Sequence, residues 1–314
     1  MKHEIIERKG IGHPDTIADN LGEALGSLLK KAYILEYGKV MHYNVDKVLV
    51  GSGKINYKKG TMTKPVNVVF AGQYTVLTKT KILDLMKSAV DEVLVVEIKS
   101  GLKYKIYNML TDGSPDLADN FVNRKCNDTS FGVGNPYTKA EQLILKIGKY
   151  LDNLNKTKYW AGTDNKIMYI DGGITIAFAF KQLTNVYDYF DIKLTLEEAI
   201  KKKFKLTDVT INSADTDATL ETPDTMSKIF NTLTGTSLEQ GDAGMTGRGN
   251  RFSGLITPLR YTTLEAYYGK NDVTHIGRIY QKMAQQRAQK SGKSVLLVNK
   301  IGADVNKPIV ITSE

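Results

Sequence analysis

Residues 241–254 read GDAGMTGRGNRFSG, and this stretch carries the strongest indication of fold and function. Gly241, Gly244 and two further glycines allow positive φ angles and a close approach of the backbone to a ligand. Exposed N–H groups in such a loop bind anions, and Arg248 and Arg251 can form paired hydrogen bonds to phosphate oxygens. The stretch therefore predicts a polyphosphate site. A flexible surface loop with two solvated arginines is the alternative.

A second motif, GHPD at residues 12–15, precedes a strongly amphipathic segment that predicts a helix over 17–32. Pro14 disfavours the helical region at His13, which predicts an extended loop at a helix N-terminus, where anions bind. His13 could donate a hydrogen bond to a leaving phosphate, and Asp15 could hold Mg²⁺. A simple helix cap with a solvated histidine is the alternative.

The composition is that of a globular protein, with 314 residues, a formal charge of +9 and 41% hydrophobic residues. The length suffices for two or three domains. The lysines are scattered and no nucleic-acid motif accompanies them, so we expect no nucleic-acid partner. No window is apolar enough for a membrane span, and the N-terminal segment is too charged and too short for a signal peptide. With Cys126 as the single cysteine, we expect a cytoplasmic protein without intrachain disulfides or a membrane partner.

Helices and strands alternate along the chain, which predicts an α/β or α+β class. The predicted helices are 17–32, 81–90, 139–152, 195–204 and 274–290. The predicted strands are 3–7, 45–50, 66–77, 93–98, 167–180, 208–212 and 294–299. Breaks are expected near Gly60, at 111–116 and at 213–224, the last as an exposed acidic loop. Thr16 and Asp19 have the spacing of a capping box.

Three further segments place charged side chains beside turns or strand ends. Asp128 begins the glycine-containing DTSFGVG, and Lys270 lies in GKND before the last predicted helix. Asp164 and Lys166 precede an apolar strand. Hydrated turns are the alternative in each case. None of these segments has the spacing of a P-loop, a dinucleotide fingerprint or a nucleophile elbow, and the four histidines lack metal-ligand spacings. Any metal should therefore be a hard cation held by carboxylates and phosphates.

Four segments carry a family resemblance: GIGHPDTIAD (10–19), DTSFGVG (128–134), LTGTSLEQGDAGMTGRGNRFSGLITP (233–258) and LEAYYGKNDVTHIGRIY (264–280). Together they resemble S-adenosylmethionine synthetase (methionine adenosyltransferase) of the archaeal type, as a divergent and short member. The third segment is long and specific, and the resemblance runs from about Glu4 to the end of the chain.

The resemblance implies an α+β fold of three interleaved subdomains, each a sheet with helices, related by pseudo-threefold symmetry. The approximate pieces are 1–11 with 141–232, 12–108 with 233–270, and 109–140 with 271–314. It also implies a homodimer, possibly a higher oligomer, with active sites at the subunit interface. Neither the symmetry nor the dimer is visible in the periodicity of the sequence.

The implied reaction joins ATP and L-methionine to form S-adenosylmethionine, with tripolyphosphate leaving and then being hydrolysed to phosphate and diphosphate. By similarity, His13 donates to the leaving oxygen and Asp15 binds Mg²⁺. The positions that hold the polyphosphate are Lys166, Arg248 and Lys270. The other substrate-binding positions are Asp128, Asp164, Asp242, Gly241, Gly244, Asn250, Arg251 and His275. K⁺ is the expected monovalent cation, near Asp46.

The chain departs from the family pattern mainly on the methionine side. Residues 111–116 read TDGSPD where the family usually has G-Q-G-S before a carboxylate, so a glutamine is missing. Residues 241–244 read GDAG where archaeal relatives commonly read G-D-D-G, and Tyr267 and Tyr268 replace small polar residues. We expect a divergent synthetase with an intact polyphosphate half. The alternatives are a triphosphate or nucleotide hydrolase, an enzyme for another thioether, and a nucleotide-binding regulatory subunit.

Overall fold

The computed structural model describes residues 3–217 and 228–312, in which helices and sheets mix in an α+β arrangement. The elements are β1 (Ile5–Lys9), α1 (Pro14–Tyr37), β2 (Tyr43–Gly51), β3 (Lys54–Asn56), β4 (Thr61–Lys64), β5 (Val66–Tyr74), α2 (Ile82–Val90), β6 (Tyr104–Asp112), α3 (Pro115–Val122), β7 (Ser130–Gly134), α4 (Lys139–Leu154), β8 (Ala161–Ile170), β9 (Gly173–Lys181), α5 (Val186–Phe204), β10 (Val209–Ile211), β11 (Asn231–Thr232), β12 (Gly244–Met245), α6 (Ile276–Ser291), β13 (Val295–Asn299) and β14 (Ile309–Thr312). No helix within these two ranges is long and apolar enough to cross a membrane.

The first sheet has the strand order β1-β8-β9-β10, with β11 also paired to β9. Strands β1, β8 and β9 are antiparallel neighbours, whereas β10 and β11 run parallel to β9. Its core joins Phe178 and Phe180 of β9 to apolar residues of α4 and α5, such as Leu151 and Tyr189. The register places Lys9 opposite Lys166, which brings two predicted functional segments to one edge of the sheet.

The second sheet has the order β12-β2-β5-β6, and helix α1 packs on it. The apolar stripe predicted in this helix is confirmed, because Leu21, Leu25 and Leu29 are fully buried in the core of this sheet. Strand β12 pairs with β2, with Gly244 opposite Val50. This pairing fixes the glycine-rich stretch beside the first turns of α1.

The third sheet has the order β14-β13-β7, all antiparallel, and is covered by α6. The helix predicted at 274–290 is confirmed as α6, and its Ile276 and Tyr280 are fully buried in this core. Helix and strand lie very close together at Gly132, where a Cβ atom would be 2.2 Å from the Tyr280 carbonyl carbon. Only glycine permits this approach.

The prediction of a strand at 93–98 is wrong. This segment belongs to a π-helix, Asp91–Glu97, that follows α2 directly. Its β-branched residues favour a strand locally, but the adjacent residues Val93 and Leu94 are both buried in the core of the second sheet. A strand would point these neighbours to opposite faces, whereas a helical turn can bury both.

The predicted strand 167–180 is two strands, β8 and β9, joined at Asp171 and Gly172, which both have positive φ angles. Asp-Gly between apolar runs is a hairpin signal, so the turn could have been predicted from the sequence.

The prediction of a capping box at Thr16 and Asp19 is also wrong. Helix α1 begins earlier, at Pro14, because His13 is its N-cap. The chain has a capping box at Thr138 instead.

The acidic segment 213–224 is only partly described. Its first residues form a short 3-10 helix, Ser213–Asp217, and residues 218–224 lie outside the described residues. Asp215 is buried and accepts a hydrogen bond from the Tyr189 hydroxyl. The prediction of an exposed loop is therefore wrong at this position, because a buried tyrosine partner holds the carboxyl group.

Substituting Gly132→Ala should lower the free energy of unfolding by about 3 kcal/mol or more, because the added methyl group meets helix backbone that cannot move aside. Gly51→Ala is the matched control. A Cβ atom there would lie 3.6 Å from the Asn67 Cβ atom, so the change should stay below about 1 kcal/mol. Denaturant unfolding measures both, and equal stabilities of the two variants would contradict the described packing.

Candidate active site

His13 is the N-cap of helix α1 and has extended backbone angles, φ −66° and ψ 136°, as the following proline favours. Its Nδ1 atom accepts a hydrogen bond from the Asp15 N–H at 3.2 Å. Burial, with the nearby Lys9 ammonium, lowers the pKa of His13 to about 4. The imidazole is therefore neutral near pH 7, and since Nδ1 is an acceptor, Nε2 carries the hydrogen. A solvated histidine is not what the structure shows.

Lys9, which the sequence analysis missed, joins three segments of the site. Its ammonium Nζ is 2.8 Å from Asp15 Oδ2 and 2.6 Å from the Arg248 carbonyl oxygen. Its backbone exchanges two hydrogen bonds with the Asn250 side-chain amide, at 2.9 and 2.8 Å. Only 7% of Lys9 is exposed. A lysine just before the GIGHPD segment was the available signal, but its burial depends on residues far away in the sequence.

Two glycines of the 241–254 stretch serve contacts with α1. A Cβ atom at Gly244 would lie 1.9 Å from the Pro14 carbonyl oxygen, and one at Gly249 would lie 2.1 Å from Asp19 Oδ2. These glycines therefore allow the loop to press against the helix. Gly241, by contrast, is exposed and has a φ of 101°.

Carboxylates of α1 hold the backbone of the same loop. Asp15 Oδ1 accepts from the Met245 N–H at 3.0 Å, and Asp19 Oδ1 accepts from the Gly247 N–H at 2.8 Å. Asp19 is 1% exposed, and burial raises its pKa to about 7. The loop that carries the Arg248 guanidinium is thus fixed to α1 at Met245 and at Gly247.

Asp164 lies within β8 rather than before the strand, and it is 4% exposed. Its Oδ2 accepts from the Ser237 N–H at 2.9 Å and from the Ser237 hydroxyl at 2.5 Å. The same hydroxyl lies 3.1 Å from Asp242 Oδ2. Burial, with the nearby carboxylates of Asp242 and Asp15, raises the pKa of Asp164 to about 7.

Two cations of this region remain available to a ligand. Lys166 is 41% exposed at its side chain, with its Nζ 3.3 Å from Glu7 Oε2. The Arg248 side chain is exposed on the fixed loop. We call Lys9, His13, Asp15, Asp164, Lys166, Asp242 and Arg248 the first cluster. Asn250 and Gly244 support it by the contacts above.

A second cluster surrounds Lys270 and comprises Asp46, Asp128, Glu265, Lys270 and His275. The Lys270 ammonium is 2% exposed, pairs with Glu265 and lies 3.3 Å from Asp46 Oδ2. His275 Nε2 is 3.4 Å from Lys270 Nζ, and burial, with that ammonium, lowers the pKa of His275 to about 3. His275 is therefore neutral near pH 7.

Asp128, Glu265 and His275 offer ligand atoms that all lie within 4.8 Å of one another, so they could hold a metal ion. The sequence spacing gave no indication of this group, because the residues come from three separate segments. Arg251 belongs to neither cluster, since its Nη1 is 3.4 Å from the Leu264 carbonyl oxygen. Within residues 3–217 and 228–312, no hydrogen bond or ion pair joins the first cluster to the second.

The family model for S-adenosylmethionine synthetase (AdoMet synthetase) matches residues 1–314. This chain belongs to the S-adenosylmethionine synthetase family. The resemblance stated from the sequence is confirmed. The motifs that suggested the family contribute His13, Asp128, Arg248 and Lys270 to the two clusters.

Curated proteins of this family match the chain along nearly its whole length. The chain is 35% identical to the S-adenosylmethionine synthase of Methanoregula boonei, over 98% of this chain and 84% of that protein. It is 36% identical to that of Sulfurisphaera tokodaii, over 97% of this chain and 82% of that protein. A solved structure of an S-adenosylmethionine synthetase from Campylobacter jejuni has a TM-score of 0.63 at 16% identity, covering 100% of this chain and 81% of that one. The synthetase fold is therefore shown.

The raised pKa of Asp19 gives a pH-dependent prediction for stability. Between the unfolded value near 3.8 and the folded value of about 7, the folded protein binds more protons, so this group destabilises the fold as pH rises. Asp19→Asn keeps an acceptor for the Gly247 N–H but cannot ionise. Its stability relative to the natural protein should rise between about pH 4 and 7, by up to about 4 kcal/mol, and then level off. Denaturant unfolding across this pH range measures the difference in the free energy of unfolding. If the stabilities of the two proteins depended on pH in the same way, the raised pKa of Asp19 would be refuted.

Proposed function

We propose that this chain is a methionine adenosyltransferase, forming S-adenosylmethionine from ATP and L-methionine. Membership of the synthetase family supports the activity. The observation that carries the assignment is the first cluster, at the N-terminus of α1. There a neutral His13 and the Lys9–Asp15 ion pair lie beside two accessible cations, Lys166 and Arg248. This arrangement suits a highly charged leaving group better than it suits proton abstraction.

The chemistry explains why no catalytic triad is needed. The methionine sulfur attacks the ribose C5′ atom, the S–C bond forms as the C5′–O bond breaks, and tripolyphosphate leaves with the electron pair. Water then divides the tripolyphosphate into phosphate and diphosphate. A thioether has no proton to lose, so the barrier lies mainly in the leaving group. Positioning and electrostatic stabilisation of the leaving oxygens should therefore supply most of the catalysis.

The residues of the first cluster take distinct roles in this proposal. His13 donates its Nε2–H to the leaving oxygen, and it can do so without titrating because its Nδ1 is held by the Asp15 N–H. Lys166 and Arg248 neutralise the polyphosphate. Asp164 and Asp242 face the ribose hydroxyls and the methionine ammonium group, whose charge would relieve their mutual repulsion. Lys9 is a positioning residue, since its ammonium is already occupied by Asp15 and Arg248.

The donor set fits a divalent cation, and we propose Mg²⁺. The carboxylates of Asp15 and Asp242 lie close enough to Asp164 to help raise its pKa. Asp15 is the residue that would hold the ion, and Asp128, Glu265 and His275 form a second group of donors. When bound, the ion supplies neutralisation of polyphosphate charge. The proposed K⁺ site near Asp46 has less support, because Lys270 and Lys47 already pair with that carboxylate. A cytoplasmic location also stays a prediction.

We further propose that a second copy of the chain completes each active site. Lys166 and Lys270 both match family positions that hold the polyphosphate, yet they lie in separate clusters of one chain. The sheets also expose apolar side chains suited to an interface, among them Leu49 of β2 (46% exposed), Met109 of β6 (63%) and Ile311 of β14 (52%). An isologous dimer would bring the first cluster of one copy to the second cluster of the other.

The three sheets support the proposed division into three interleaved subdomains. Each sheet has its own buried core. The piece 1–11 with 141–232 contains every strand of the first sheet. The piece 12–108 with 233–270 contains β2, β5 and β12 of the second sheet, but its boundary at 108 cuts β6, which runs to Asp112. The piece 109–140 with 271–314 contains the third sheet and α6. The pseudo-threefold relation between them belongs to the same proposal.

The alternatives of a hydrolase and a regulatory subunit are not favoured by the family or by the relatives.

The segment 111–116, which differs from the family pattern, concerns the choice of thioether substrate. It joins β6 to α3, where a Cβ atom at Gly113 would lie 2.9 Å from His42 Nδ1. His42 is 3% exposed, and its Nε2 has no hydrogen-bond partner. We propose that this segment sets the tolerance for the thioether substrate.

His13→Asn should lower kcat for S-adenosylmethionine formation by about 10²- to 10³-fold and change the KM for ATP by less than about threefold. Asparagine can still cap the helix but is too short to reach the leaving oxygen. His3→Asn is the control, because His3 is exposed and pairs with Asp171 outside both clusters. Steady-state kinetics with chromatographic detection of the sulfonium product measures both. An unchanged kcat in His13→Asn would remove the assigned role.

Mixing two inactive variants tests the shared site. His13→Asn alters the first cluster and Lys270→Ala alters the second. If each site takes one cluster from each copy, a mixed dimer has one fully natural site, and random exchange should restore about a quarter of the natural activity. Each variant is first tested alone and by size-exclusion chromatography. Mixed dimers that form without any recovery would show that each site lies within one chain.

A further inference from the structure

A cavity of about 250 Å³ lies at the first sheet. Three lysines line it: Lys99, after the π-helix, Lys158, after α4, and Lys181, at the end of β9. None of the three forms an ion pair among the described residues, and the lining contains no aspartate or glutamate. The lining of the cavity therefore carries three positive charges, which come from three separate segments of the chain.

A buried polar group also lines this cavity. Thr163 is 2% exposed, and its hydroxyl has no hydrogen-bond partner. The rim is conformationally unusual as well, because Lys99 and Gln182 both have left-handed backbones, with φ angles of 54° and 56°. Such residues cluster at ligand sites.

The cavity adjoins the first cluster but shares no residue with it. Its lining includes Thr163, which precedes Asp164 in β8, and α4 packs nearby, since Asn165 donates to Asp152 Oδ1 at 3.0 Å. None of Lys9, His13, Asp15, Lys166 and Arg248 lines the cavity, so it is a different site from the proposed polyphosphate site.

Thr163, which lines the cavity, nevertheless lies next to the backbone that positions Asp164. The N–H groups of Thr163 and Asp164 both donate to the Gly235 carbonyl oxygen, at 2.9 and 3.0 Å. The turn that begins there continues to Ser237, whose N–H and hydroxyl hold the Asp164 carboxylate. A ligand against Thr163 would therefore touch the strand and the turn that position a group of the first cluster.

We propose that this cavity binds a phosphate-bearing anion of the diphosphate class, as a second anion site distinct from the active site. Three ammonium groups on different segments match an anion with more than one charged end, and charge-assisted hydrogen bonds to phosphate oxygens are strong. The proposal does not depend on the proposed reaction, because it rests on the cavity and its lining alone.

Calorimetric titration of inorganic diphosphate into the full chain, in metal-free buffer, tests this site. All proteins carry Arg248→Ala to weaken binding at the first cluster. Lys158→Gln with Lys181→Gln should raise the Kd at least about tenfold. Lys158→Arg with Lys181→Arg, which retains the charge, should bind diphosphate within about threefold of the parent. Lys156→Gln is the matched control, since Lys156 is exposed in the same segment but does not line the cavity.

The possible results distinguish a specific anion site in the cavity from a surface that attracts anions only by its general positive charge. The proposal is supported if only the double glutamine variant loses the tight binding while its thermal unfolding is unchanged. It is overturned if that variant binds as tightly as the parent, or if Lys156→Gln weakens binding equally. A parallel titration with AMP, which lacks a diphosphate group, should show weaker binding. Binding of AMP without binding of diphosphate would contradict the stated ligand class.

Discussion

The buried ion pair between Lys9 and Asp15 is the interaction on which the rest of the site depends. Its two residues belong to β1 and α1, and the Lys9 ammonium also donates to the Arg248 carbonyl oxygen of the glycine-rich loop. Because the pair is almost excluded from water, removing Lys9 would leave the Asp15 carboxylate without its cation, at a cost of about 3–5 kcal/mol. Two consecutive elements and a loop 239 residues further along the chain are fixed together in this way, beside His13.

This constraint also explains the glycines of the loop. At Gly244 and Gly249 the loop lies so close to α1 that no side chain fits, while the helix carboxylates receive the loop N–H groups. The loop backbone is therefore largely used for contact with the helix, and the exposed side chains of Arg248 and Asp242 stay accessible to a ligand. A stretch whose composition indicated a direct phosphate cradle instead presents its cations from a fixed backbone.

The sequence predicted those parts of the fold and site that depend on local patterns. The stripe of α1, the extended backbone at His13 and the core face of α6 follow from spacing and from Pro14, and all are present. Lys9 was missed because its burial is created by the loop around residue 248. The strand predicted at 93–98 failed because the tertiary requirement to bury Val93 and Leu94 together outweighs β propensity. The grouping of Asp128 with Glu265 and His275 likewise has no local signal.

We propose that this site directs the thioether to the ribose and makes tripolyphosphate a leaving group. The stoichiometry of products from ATP with and without L-methionine, in Mg²⁺ and K⁺, tests this proposal. Equal amounts of S-adenosylmethionine, phosphate and diphosphate are expected, with phosphate release that depends on methionine. Phosphate released at the same rate without methionine, and no sulfonium product, would contradict it and identify a hydrolase.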